Sequence, residues 1–267
     1  NSTGSGNVAI GRAAAQDTTY GVGNVAIGNA CFMKNETGQE NTYVGDGAGH
    51  GSLNNGNVGI GHTALSNNRA YFITAVGSKS LVNNTTGEYN TALGSFTLEQ
   101  NTTANENTAV GYHALKESTG GSNTALGSHA LEKNTTGNYN VGIGTDALNQ
   151  LASGSNNISI GGDSSTSVTN ANNCVLIGKG AQPNTNTATN QIVIGTDATG
   201  TGDNEITLGN TNINAIKAHV NSITAYSDKR IKKDIEDNNL GLDFITKLRT
   251  IKYKKVNPAD YPDEILE

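Results

Sequence analysis

Thirteen glycines set the rhythm of this chain: Gly11, Gly28, Gly45, Gly61, Gly77, Gly94, Gly111, Gly127, Gly144, Gly161, Gly178, Gly195 and Gly209. Successive steps are 16 or 17 residues, except for a last step of 14. Every one of these glycines follows an aliphatic residue, from Ile10 to Leu208, and a Val, Thr or Ile stands three places before it. Two places before it the residue is usually Ala, Gly or Ser, and four places before it Asn recurs in nine of the thirteen units. Three places after Gly the side chain is small, and Leu follows it in six consecutive units, Leu65 to Leu148. Self-similarity at a fixed period is the signature of a stacked repeat.

Local chemistry turns the period into a shape. A run of β-branched and small residues bounded by Asn and Gly reads as a short strand ending in a turn. A second short stretch, x-x-Ala-Leu, follows, and then a polar loop such as "NTTGEYN". One unit cannot bury its own apolar face; units stacked at about 4.8 Å pair their backbones and share a thin core. The expected fold is all-β, a parallel β-roll or solenoid of about thirteen 16–17-residue coils over residues 1–209. The Gly column suits a backbone position needing φ > 0 or lacking room for a Cβ. The Asn column suits turn caps or side-chain ladders. Because a single thin roll holds little apolar area, several chains, most simply three around an axis, are expected to share the core; a monomeric solenoid is the alternative.

Composition agrees. Gly is 34 of 267 residues, Trp is absent and aromatics are 5%, too few large side chains for a conventional core. Val, Ile and Thr are plentiful and the net charge is only −6, which argues for a repeat fold over disorder. No basic patch marks a nucleic-acid partner, and no apolar run approaches the ~20 residues of a membrane span. Cys31 and Cys174 lie nine coils apart, on the order of 40 Å, so they are not expected to pair.

The unit "GNVAIG..A", at Gly6–Gly11 and Gly23–Gly28 and as "GNVGIG" at Gly56–Gly61, resembles the head repeats of trimeric autotransporter adhesins. That resemblance implies a trimeric parallel β-roll on a cell surface. The coils here carry an extra polar loop, so a rougher outer surface is expected. The chain begins inside a repeat, and we expect it to be a piece of a longer polypeptide.

After Gly209 the pattern breaks. Residues 210–226 alternate around Ile213–Ile216 and Val220–Ile223 and read as a closing strand region. Residues 227–267 then carry nine of the 17 basic and nine of the 23 acidic residues, which marks a domain boundary near 225. A helix cap at Ser227 or Asp228, a second helix over Asn239–Arg249 and a strand ending at Pro258 are expected. By itself this segment reads as a capped helix with solvated lysines.

"SDKRIKKDI" followed by "GLDFITKLRTIKY" resembles the intramolecular chaperone of phage endosialidase tailspikes, a self-cleaving module. Ser227, Asp228, Arg230 and Lys232 match its Ser-Asp-x-Arg-x-Lys motif, and Leu248, Arg249 and Tyr253 match its later part. The resemblance implies a module that drives trimerisation and then cuts itself off between Tyr226 and Ser227. Ser227 would be the nucleophile and Lys232 its base, with Asp228 and Arg230 supporting. A lysine serves as base when burial or nearby cations lower its pKa, and Lys229, Arg230 and Lys233 surround Lys232. The tail is shorter than the family's domain, so truncation is expected.

The whole reads as a shaft or tip segment of a homotrimeric virion fibre that meets a host or cell-surface receptor, with a glycan as one candidate. A cellular adhesin of the same architecture, outside the cell, is the second reading, and a carbohydrate-degrading solenoid enzyme the third. No cofactor is expected. His113 and His129 share one column, two places after Gly. On a threefold axis they could hold a metal or an anion, but the plainer reading is exposed polar side chains, and no metal site is assigned. Five sequons, at Asn35, Asn84, Asn101, Asn134 and Asn157, follow from an Asn/Thr-rich repeat as readily as from glycosylation.

Overall fold

The computed structural model describes residues 3–215. They form an all-β parallel solenoid of thirteen three-residue strands. In chain order these are β1 Val8–Ile10, β2 Val25–Ile27, β3 Thr42–Val44, β4 Val58–Ile60, β5 Thr74–Val76, β6 Thr91–Leu93, β7 Thr108–Val110, β8 Thr124–Leu126, β9 Val141–Ile143, β10 Ile158–Ile160, β11 Val175–Ile177, β12 Ile192–Ile194 and β13 Ile206–Leu208. Each strand pairs only with its sequence neighbours, in one sheet ordered β1 to β13. Register never slips: Ala109 sits beside Ala92 and Ala125, and after the 14-residue step Val193 still faces Thr207.

The glycines stack rung above rung, for both reasons their column suggested. From Gly11 to Gly195 they lie at φ +126° to +144°. A Cβ on Gly111 would stand 2.5 Å from the Gly127 carbonyl oxygen. The Gly127 amide in turn donates to the Val110 carbonyl at 2.8 Å. The asparagines form the expected ladder. In one run from Asn90 to Asn157, each Oδ1 accepts the main-chain N–H of the next rung at 2.9–3.1 Å. Their Nδ2 groups reach inward to loop carbonyls, as from Asn107 to Gly120 at 3.0 Å and from Asn123 to Gly137 at 2.9 Å. Buried backbone groups in the loops are thus satisfied by side chains.

The stretch after Gly is not a second strand. Through the tenth coil, two and four places past Gly the backbone is left-handed: Thr63 and Leu65 at φ 53° and 52°, His113 and Leu115 at 59° and 50°. Left-handed geometry costs a Leu about 1–2 kcal/mol, and inter-coil hydrogen bonds offset it. The His113 amide donates back to Ser95, and the Leu115 amide donates forward to Ala130. Up to the tenth coil this wall is laddered from coil to coil without being a β-sheet; farther on, Gln182 and Thr199 pair as an isolated parallel bridge.

The core closes within one chain, a difference from the shared core expected. From the second to the tenth coil, two inward positions fold onto one another, the middle of the strand and the place four after Gly. One of the two is large in nearly every coil. From the fourth to the ninth coil a small residue in the strand (Gly59, Ala75, Ala92, Ala109, Ala125, Gly142) faces a buried Leu. In the third coil Tyr43 takes the strand position and Gly49 the other; a Cβ on Gly49 would lie 2.5 Å from the tyrosine ring. In the eleventh and twelfth coils Leu176 and Val193 are buried in the strand, but the place four after Gly turns outward: Gln182 bonds Ser167 and the Asp163 carbonyl at the surface, and Thr199 is exposed. The tenth has serine at both places, with Ser159 Oγ 3.3 Å from Ser165 Oγ and 2.7 Å from Ser164 Oγ beside it. The leucines are fully buried without a second copy because these pairs fill the narrow interior by themselves.

Cys31 and Cys174 are both free and buried. Burial pushes the Cys31 thiol up to about 11. Residues 210–215 hold a turn at Thr211–Asn212 and no strand. The rest of the expected closing region lies outside the described residues.

Candidate functional site

Tyr226, Ser227, Asp228, Arg230 and Lys232, with the helices and strand expected around them, lie outside the described residues. What the solenoid presents is an outer strand face and a side wall.

In a three-residue strand whose middle points inward, the first and third residues point outward. The third-position column is aliphatic at all thirteen rungs, Ile10 to Leu208, and the first-position column is Val, Ile or Thr throughout. No charged residue stands in either column. Ile60, Leu93, Leu126, Ile160 and Ile194 are 37–48% exposed. At about 4.8 Å per rung this apolar stripe runs for roughly 58 Å. A row of that length is large for the surface of a soluble monomer, and such patches mark interaction sites.

The side wall carries the two histidines, and the structure brings together what the sequence placed in one column. His113 and His129 lie on adjacent coils with ring centroids 5.1 Å apart, edge to face. They are joined by Glu132, which periodicity did not single out. His113 Nδ1 is 3.2 Å from one carboxylate oxygen and His129 Nδ1 is 2.8 Å from the other. Side-chain exposure is 15% for His113, 33% for His129 and 19% for Glu132. The three are therefore half-buried, not the exposed polar residues of the plainer reading. Tyr112 stacks on His113 at 3.8 Å, and Phe96 meets it edge-on at 5.3 Å. His113 is held below the usual imidazole range, first by burial and then by the charge of Lys116, against the pull of Glu132. The signal for Glu132 was its place three residues after His129 across a tight turn. Seeing it required knowing that both left-handed residues face the same wall.

A third feature is aromatic. Phe72 and Tyr89 stack at 5.9 Å on neighbouring loops and Tyr71 tilts against Phe72 at 6.2 Å, all three exposed. The five sequon asparagines, by contrast, are buried. Asn101 Nδ2 bonds Asn84 Oδ1 at 3.1 Å, Asn84 Nδ2 bonds Asn68 Oδ1 at 2.7 Å, and Asn157 Nδ2 bonds the Ala171 carbonyl at 2.7 Å. They are structural rungs and present no acceptor to a glycosylating enzyme.

Fold and surface together define the described region as a parallel β-solenoid repeat protein. Comparison with protein-family models and with curated proteins finds no match to this chain.

Proposed function

We propose that the chain is a rod segment of a homotrimeric virion fibre, assembled through its outer strand face and followed by a chaperone that drives assembly and cleaves itself off. The observation that carries this reading is the uncharged aliphatic stripe, unbroken over thirteen rungs. A second and third copy would cover it, and the in-register stacking of each chain would keep the contact continuous along the rod. Partners then add stability by covering a face of already closed solenoids, not by completing a shared interior. The loops and the exposed Tyr71–Phe72–Tyr89 group are the surface offered to a host receptor, with sugar rings a natural partner for stacked aromatics.

The resemblance of residues 227–253 to endosialidase-type chaperones supports the second half. Ser227 Oγ attacks the Tyr226 carbonyl carbon while Lys232 takes the hydroxyl proton. The Tyr226–Ser227 amide bond breaks, its nitrogen takes up a proton and becomes the new amino terminus, and an ester forms in its place. Water then hydrolyses the ester and frees the Tyr226 carboxylate. No substrate pocket is needed, because the scissile bond is already in place.

Replacing Ser227 by Ala tests this half of the reading. The wild-type full-length protein is expected to yield two fragments on a denaturing gel, with the cut before Ser227 established by intact mass. The Ser227→Ala chain is expected to run as one band. Identical patterns from the two would contradict the proposal. A cell-surface adhesin of the same architecture would share the stripe but not the cleavage.

A further inference from the structure

We propose that His113, His129 and Glu132 form a binding site for one divalent transition-metal ion of the zinc type, stapling the seventh coil to the eighth. The case begins with geometry. The ligand atoms of the three side chains all lie within 4.8 Å of one another. Each histidine turns Nδ1 toward a different oxygen of the one carboxylate, at 3.2 Å and 2.8 Å. Zinc at 2.0–2.1 Å from tetrahedral ligands sets those ligands about 3.3 Å apart. The two His–Glu spacings lie within about half an ångström of that, and the 4.8 Å limit on the whole set leaves the two histidines at most about 1.5 Å to close. Two imidazoles and a carboxylate form a donor set that suits zinc, cobalt or nickel and disfavours the all-oxygen preference of calcium and magnesium.

The surroundings hold the donors in place. The His113 ring is stacked on Tyr112 and braced edge-on by Phe96. Both histidine backbones are fixed by hydrogen bonds to the previous coil, His113 to Ser95 and His129 to Tyr112. Burial favours the neutral form of His113, the form that ligates. The groups bearing on its charge are Lys116 on its own coil and His129 and Glu132 on the next. Lys116 opposes a cation there and Glu132 favours one. Three protein ligands leave a fourth position for water or for a donor from outside, such as a receptor carboxylate.

The experiment is a calorimetric titration of the full chain with zinc ion, beside His113→Asn, His129→Asn and Glu132→Gln. Asn is chosen because both histidines sit at φ near +60°, a conformation Asn tolerates. Wild type is expected to bind one ion per chain, and each variant to bind more than about tenfold more weakly, since loss even of a group behind a ligand costs that much. No saturable binding by wild type, or affinity unchanged in the variants, overturns the proposal. Imidazole nitrogen NMR of the unaltered protein gives the answer without any variant. Zinc should move the Nδ1 resonances of His113 and His129 and leave those of His50, His62 and His219 in place; uniform shifts, or shifts at the other three, would refute it. Failure here leaves the fibre reading intact, because no part of that reading uses this ion.

Discussion

Gly111 shows how little freedom a single position has in such a stack. Its φ is +129°, and an added methyl would meet the Gly127 carbonyl oxygen, an atom of the rigid next rung. Gly111→Ala is therefore expected to destabilise the solenoid by roughly 2–5 kcal/mol, from backbone strain and overpacking together. Thermal melting followed by circular dichroism measures this, and a loss under ~0.5 kcal/mol would contradict it. This column was legible in the sequence because only Gly meets both demands, and repetition exposed it. The Asn column was legible for a similar reason, since a carboxamide both accepts from the next rung and donates into the loop. The left-handed leucines were not legible. Leu carries no preference for φ > 0, and its geometry is dictated by the inter-coil hydrogen bond at its amide. The buried state of the five sequon asparagines was hidden too, because a sequon reads the same on a rung as on a loop tip.

At the scale of the coil, the rule is one large side chain shared between two inward positions. Ala109 and Leu115 follow it in the seventh coil, and Tyr43 with Gly49 reverses it in the third. Leu115→Ala alone should cost about 2–5 kcal/mol through the cavity it leaves. Ala109→Leu alone should cost about 1–3 kcal/mol by overfilling. The double variant should recover at least ~1 kcal/mol of the summed losses, because the volume is only moved across the interior. Denaturant unfolding of all four proteins closes the cycle, and strict additivity would show that the positions do not exchange volume. Alternating strand-and-turn chemistry gave away the strands, the three residues that lead up to each Gly. It could not give away the pairing, because the two positions are six residues apart on walls that periodicity alone does not juxtapose. The same limit hid Glu132 from the histidine column.

For the molecule as a whole, the reason to expect several chains has changed. Scarcity of apolar residues suggested a core made jointly. Instead each chain fills its own interior and leaves aliphatic side chains outside, at Leu93 and Leu126 among others. The number of chains then depends on how these outer faces meet, which no column in one sequence encodes. The mass of the particle in solution, from light scattering on the chain carrying Ser227→Ala so that nothing is released, bears on this directly. The account predicts a single species of three times the chain mass. A well-folded species of one chain mass, with the stripe left open to water, would contradict it.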